Sequence, residues 1–154
     1  MIKVLFVCHG NICRSPMAEF VMKDLVEKEG LKHRFYIASA ATSTEEIGNG
    51  VHPGTRKKLA QYGISTAGKT AVQLRQEDYN TYDFLLGMES YNLKNMKRII
   101  GDDEAQKVYR LLDFSNRPRD IADPWYTGNF DVTYEDIYEG CIAFIQYLKK
   151  QNRI

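Results

Sequence analysis

The sequence predicts one α/β domain spanning residues 1–154, an open parallel sheet of about four strands with helices on both faces. Three observations carry this. Short apolar runs alternate with longer amphipathic stretches in the order β-α-β-α-β-α-β-α. The first run, Ile2 to Val7, is almost continuously apolar, as a strand buried on both faces must be. The 154 residues match the usual size of one domain, and no repeat, low-complexity tract or linker divides them.

The elements follow in order. Ile2 to Val7 is the first strand, and Cys8 to Ser15 is a polar, glycine-containing loop. Pro16 to Glu29 carries apolar residues at 17, 18, 21, 22, 25 and 26, a helical stripe, with Ser15 suited to the N-cap, Pro16 to the first helical position and Gly30 to the stop. Arg34 to Ser39 reads as the second strand, and Ala40 to His52 as a loop rich in Thr, Ser and Gly. A helix over Pro53 to Tyr62 ends at Gly63, a third strand covers Phe84 to Met88, and a helix covers Ser90 to Ile100. Val108 to Leu112 is the fourth strand. Pro118 and Pro124 make Phe114 to Thr127 a loop. The final helix, Phe130 to Lys150, aligns Tyr134, Ile137, Cys141, Phe144 and Leu148.

Composition narrows the function. Lys plus Arg number 21 against 20 Asp plus Glu, a net charge of +1, which gives no general attraction to nucleic acid or an anionic membrane. No run approaches the ~20 apolar residues of a membrane span, and the N-terminus lacks the zones of a secretory signal. Three cysteines are too few and odd in number for a disulfide framework, so a reducing cytoplasm is the expected setting. Cys8, His9 and Cys13 lack zinc-ligand spacing and no second Cys/His pair follows, so no metal is expected.

Chemistry concentrates in the loop after the first strand, where open α/β sheets bind ligands. It reads Cys8-His9-Gly10-Asn11-Ile12-Cys13-Arg14-Ser15-Pro16. A chain turning there from strand to helix aims several backbone N–H groups inward, and the helix adds its positive end, which together make an anion site. Gly10 and Asn11 are residue types that tolerate the positive φ such a turn needs. Arg14 supplies a planar fork suited to phosphate. The same field favours the thiolate of Cys8 at the base, with Ser15 as a further donor, so a nucleophile would sit beneath a bound phosphate. Alone, Cys8 reads more readily as apolar filler than as a nucleophile; Cys followed six positions later by Arg, with Gly between and Ser-Pro opening a helix, is far more specific.

Thiolate attack on a phosphate ester also needs an acid to protonate the leaving oxygen. A carboxyl beside a thiolate and a phosphate dianion resists ionisation because the charges are alike. Asp120 and Asp123 both sit in the proline-containing loop and spacing alone does not choose between them; an Asp before Pro also reads as simple turn initiation.

The run Val7 to Pro16 resembles the signature of the low-molecular-weight protein tyrosine phosphatases, Val-Cys-x-Gly-Asn-x-Cys-Arg-Ser-Pro. The resemblance extends through Met17-Ala18-Glu19, Ser39-Ala40-Ala41-Thr42, Met88 and Asp123-Pro124-Trp125-Tyr126, nearly the whole chain. It implies a flavodoxin-like fold of the phosphotyrosine phosphatase I type. It also implies Cys8 as nucleophile, Arg14 as phosphate clamp within a binding loop of His9, Gly10, Asn11, Ile12, Cys13, Arg14 and Ser15, and Asp123 rather than Asp120 as general acid. Beside that acid, Trp125 and Tyr126 are expected to wall a groove for a flat aryl ester, with Glu45 on the facing loop. The implied substrates are phosphotyrosine-containing proteins or small aryl phosphates, handled by a monomer or weak dimer without cofactor.

The chain departs from that family at three places. His9 stands where relatives often have Leu, Thr44-Glu45-Glu46 where the facing loop often carries an aromatic, and Met88-Glu89-Ser90-Tyr91-Asn92 where Met-Asp-x-x-Asn is usual. These bear on substrate range. Cys13 is equally a partner for Cys8 under oxidation and a thiol packed in the loop, and Cys141 reads as core. Two other activities fit the same loop. Arsenate reduction needs a thiol relay, and Gln76 to Asn95 holds no cysteine. A binding-only phosphate sensor has no use for both Cys8 and Asp123.

Overall fold

The computed structural model describes all residues, 1–154. Strands β1 (Ile2–Cys8), β2 (Phe35–Ala41), β3 (Phe84–Gly87) and β4 (Val108–Arg110) form one parallel sheet in the order β2-β1-β3-β4. Val4 lies between Ile37 on one side and Phe84 on the other. The chain leaves β1 outward to β2 and then returns across it to β3. The order therefore reverses at β1/β3, and the loop leaving β1 opens at the resulting crevice.

The helices are α1 (Arg14–Lys28), α2 (Pro53–Ala60), α3 (Asp78–Thr81), α4 (Ser90–Ile100), α5 (Pro124–Thr127) and α6 (Phe130–Lys150). The two-residue period of β1 divides the core between them. Ile2, Val4, Phe6 and Cys8 pack with Met17, Met22, Leu59 and Phe144, beneath α1, α2 and α6. Leu5 and Val7 point the other way, to Leu74, Leu85, Met96 and Ile100 beneath α4. Phe84 stands edge-on to Phe144 with ring centroids 5.0 Å apart, which seats α6 on the sheet. No helix is long and apolar enough to cross a membrane.

Gly140 lets α6 approach the turn after β4. A Cβ there would lie 2.5 Å from Leu111 Cγ, a branch point with little room to move. Gly140→Ala should gain about 1 kcal/mol of helix propensity and lose about 1–3 kcal/mol to overpacking. The expected net is a loss of about 1 kcal/mol, read as a lower urea midpoint at unchanged slope. An equal or higher midpoint would show that α6 tolerates the shift.

Several boundaries differ from the sequence reading. Helix α1 starts at Arg14 with Cys13 as its N-cap, so Ser15 and Pro16 are its second and third residues. The first four helical N–H groups have no intrahelical acceptor, so a proline is tolerated anywhere in that turn, and Ser15 is free for another use. β2 runs on to Ala41 and α2 stops at Ala60. β3 ends at Gly87, one residue short of Met88. β4 ends at Arg110, not Leu112, because the Asp113 carboxylate accepts from the Arg110 amide at 2.8 Å and turns Leu111–Phe114 into a 3₁₀ helix. A second 3₁₀ helix at Lys32–Arg34 and the short α3 are additional to the expected elements, each too short to show a periodic pattern. In the expected loop before α6, Pro124 starts a four-residue helix. α4 and α6 occupy the stretches expected of them.

Candidate active site

The loop between β1 and α1 closes around one sulfur. Cys8 Sγ lies 3.3 Å from the Asn11 amide and 3.4 Å from the Ser15 amide, both donating to it, and 3.0 Å from Ser15 Oγ. Cys13, capping α1, makes no side-chain bond to the first-turn amides, and no acidic residue occupies that turn. The positive end of α1 is thus left to the hollow above Cys8.

Asn11 holds the turn. It adopts φ 58°, a left-handed conformation that Asn visits more readily than most residues. Gly10 does not take the positive φ expected of it; its missing Cβ instead faces Glu46 Cγ at 3.5 Å.

The bonds of Asn11 also fix proton directions. The Val72 amide can only donate, and it reaches Asn11 Oδ1 at 3.1 Å. Nδ2 must therefore be the end facing Ser15 Oγ at 2.7 Å and Ser39 Oγ at 2.9 Å. Ser15 Oγ accepts from Asn11 Nδ2, which leaves its own O–H free to donate to a thiolate at Cys8 Sγ, 3.0 Å away. Ser39 in turn donates to Glu19 Oε1 at 2.6 Å. Glu19 is 5% exposed and is offset by Lys23 at 2.6 Å and Lys69 at 3.7 Å. Burial lowers the Lys69 pKa from its usual value, against the opposing pull of Glu19. The sequence alone does not reveal this buried relay behind the sulfur, although Met17-Ala18-Glu19 and the Ser39 stretch both belong to the family resemblance. An isolated buried Glu has no periodic signature; the available clue is an ionisable residue bordering the apolar stripe of α1, one turn before Met22.

Arg14 is buried, and three carbonyl or carboxylate groups anchor it. Its Nη1 donates to Glu89 Oε2 and, at 2.8 Å, to the Ile121 carbonyl; its Nη2 lies 3.4 Å from Asp123 Oδ2. Glu89 is the second residue the sequence did not assign. It also takes part in capping α4, where Asn92 Oδ1 accepts from the Met88 and Glu89 amides at 3.0 Å each.

The two candidate acids separate cleanly. Asp120 accepts from the Ser90 amide at 2.8 Å and from Arg110 at 3.0 Å. Although burial works against it, these bonds hold its carboxyl below the usual value. Asp123 caps α5 with Oδ1, accepting from the Trp125 amide at 3.0 Å, which leaves Oδ2 toward Arg14. Turn initiation and a place in the hollow are therefore both true of Asp123.

One hollow is lined by Cys8, His9, Gly10, Ile12, Cys13 and Arg14 from the loop, Glu45 and Glu46 from the facing loop, and Asp123, Trp125 and Tyr126 from α5 and its cap. Asn11 and Ser15 lie behind it. Trp125 is steadied edge-on by His52 at 5.7 Å, and His52 stacks on Phe130 at 5.3 Å. His9 Nε2 meets Glu45 Oε2 across the mouth at 3.0 Å. All three cysteines are free; burial, then the neighbouring Cys8, pushes the Cys13 thiol up to about 12. No trio of His, Cys, Asp or Glu comes together as a metal would require.

A thiol held by amides, a guanidinium and a carboxyl around one small hollow can transfer a phosphoryl group. A family model for low molecular weight phosphotyrosine protein phosphatase matches residues 3–154. The chain is 37% identical to the low molecular weight protein-tyrosine-phosphatase YfkJ of Bacillus subtilis over 156 residues, covering 100% of each. The crystal structure of that protein is similar at a TM-score of 0.93 and 38% identity, over 98% of this chain and 96% of the other. A protein tyrosine phosphatase from Entamoeba histolytica, solved with Hepes in its active site, gives 0.91 at 26% identity over 99% of both chains.

Proposed function

The chain belongs to the low molecular weight phosphotyrosine protein phosphatase family, and from that premise we propose that it hydrolyses aryl phosphate monoesters, phosphotyrosine in proteins above all, through a phosphocysteine intermediate. The observation that carries this reading is Cys8 Sγ itself, bonded to two backbone amides and 3.0 Å from the Ser15 hydroxyl, with Arg14 and Asp123 lining the same hollow.

In the first step the Cys8 thiolate attacks phosphorus in line. The S–P bond forms, the bond from phosphorus to the aryl oxygen breaks, and Asp123 gives its proton to the departing phenol. In the second step water attacks phosphorus, Asp123 takes its proton, the S–P bond breaks and the thiolate is restored. Arg14 and the loop amides hold the equatorial oxygens throughout, so the charge stabilisation needs no metal. The Ser15 hydroxyl and the two loop amides can donate to the sulfur as it leaves in the second step. Trp125 and Tyr126 accept the flat face of the ester, and the pocket wall closes with Glu45. A reducing cytoplasm suits the three free thiols.

Rapid acid quenching during turnover of para-nitrophenyl phosphate tests the reading. Mass spectrometry of the digested protein should find one phosphoryl group on the peptide holding Cys8. Turnover with the phosphoryl group on another residue would remove Cys8 as nucleophile.

A further inference from the structure

Resting on the phosphatase reading above, we propose that the mouth of this pocket selects phosphotyrosyl segments with Lys or Arg beside the phosphotyrosine, and that Glu45 is the specificity-determining residue. The charges around the site point this way. Arg14 is buried, with a side chain only 3% exposed, and serves the phosphate. Apart from His9 and the thiols, every other ionisable side chain around the hollow that can carry charge at neutral pH is a carboxylate: Glu45, Glu46 and Asp123. The adjoining groove adds Glu89 and Asp120, and no lysine lines either. A dianionic ester thus meets its cation at the bottom and carboxylates at the rim.

Among these carboxylates Glu45 is the one left for a substrate. Glu89 and Asp123 face Arg14, Asp120 is held by Arg110 and Ser90, and Glu46 accepts from Asn49 at 2.6 Å. Glu45 has a side chain 70% exposed, and its carboxylate meets His9, itself 42% exposed. An exposed pair of this kind holds weakly, so an arriving ammonium or guanidinium takes the place of His9 at little cost. The exposed faces of Trp125 and Tyr126 across the hollow add a second attraction for a cation and none for an anion.

The test compares kcat/KM for two phosphotyrosyl peptides of equal length, one flanked on both sides by Lys and the other by Glu, with para-nitrophenyl phosphate as the flankless substrate. The basic peptide should be preferred by roughly 3- to 30-fold, as a few exposed charge pairs allow. Raising salt to about 1 M, where the screening length falls to about 3 Å, should bring the ratio near one. Glu45→Lys should level or invert the preference, and His9→Gln should strengthen it by leaving Glu45 unpaired. Equal rates for the two peptides, a ratio indifferent to salt, or one unmoved by Glu45→Lys would overturn the proposal. If para-nitrophenyl phosphate is turned over while the peptides are not distinguished, this proposal alone fails. If neither peptide nor para-nitrophenyl phosphate is hydrolysed, the phosphatase reading fails with it.

Discussion

Cys8→Ser is expected to reduce phosphate release on the order of 10⁴-fold or more, the scale seen when a nucleophile is removed from a catalytic unit. The substitution changes one atom, but a serine hydroxyl stays protonated where a thiol can ionise, and an alkoxide in this cradle would be a far poorer leaving group in the second step. The rest of the site should persist. Asn11 and Ser15 are held by Val72, Ser39 and each other, and Arg14 by Glu89 and Ile121, none of which depends on the sulfur. The variant should therefore still bind vanadate or inorganic phosphate by calorimetry while releasing no phosphate from aryl esters. Turnover near the unmodified rate would move the nucleophile elsewhere. Loss of oxyanion binding together with activity would show that the variant had lost the cradle, and Cys8→Ala would then serve as the second probe.

Asp123→Ala should slow hydrolysis of phenyl phosphate by roughly 10²–10⁴-fold, the usual worth of a positioned proton donor. The loss should be smaller for para-nitrophenyl phosphate, whose phenoxide leaves without help. That dependence on the leaving group separates proton donation from structural damage, which would lower both rates alike. Structural damage is a real concern here, because Asp123 Oδ1 also caps α5 at the Trp125 amide. Loss of such a cap costs about 1 kcal/mol. Asp123→Asn preserves the capping oxygen but cannot donate as an acid, so it should reproduce the leaving-group pattern with α5 intact. Undiminished activity toward phenyl phosphate in either variant would take the acid role from Asp123; Asp120, tied to Ser90 and Arg110, is poorly placed to inherit it.

The fold was legible to different depths. β1, α4 and α6 stand where their apolar patterns put them, because burial on two faces or one stripe leaves a periodic trace. Ends governed by side-chain hydrogen bonds were not legible. Asp113 stops β4 at Arg110, and Ser15, a fitting N-cap by residue type, sits inside α1 with its hydroxyl on Cys8. In the site, the Cys8–Arg14 loop stood out because all its residues are adjacent in the chain. Glu89, Glu19 and Lys69 did not, because their roles exist only through residues distant in sequence.

The amino-acid order by itself determined the strand–loop–helix unit, the sulfur at its base and the guanidinium six positions on. It did so because these features are local: a buried strand, a turn that tolerates left-handed Asn11, and a helix whose first amides lack intrahelical partners. Tertiary structure alone decided which way the protons point and which carboxyl faces the hollow. Asn11 is oriented by Val72, 61 residues away, and Arg14 meets Glu89 and Asp123 at separations of 75 and 109. Those choices depend on the sheet order that brings the ends of β1 and β3 together, and hydrogen-bond direction is set by the partner a group meets in space rather than by its neighbours along the chain.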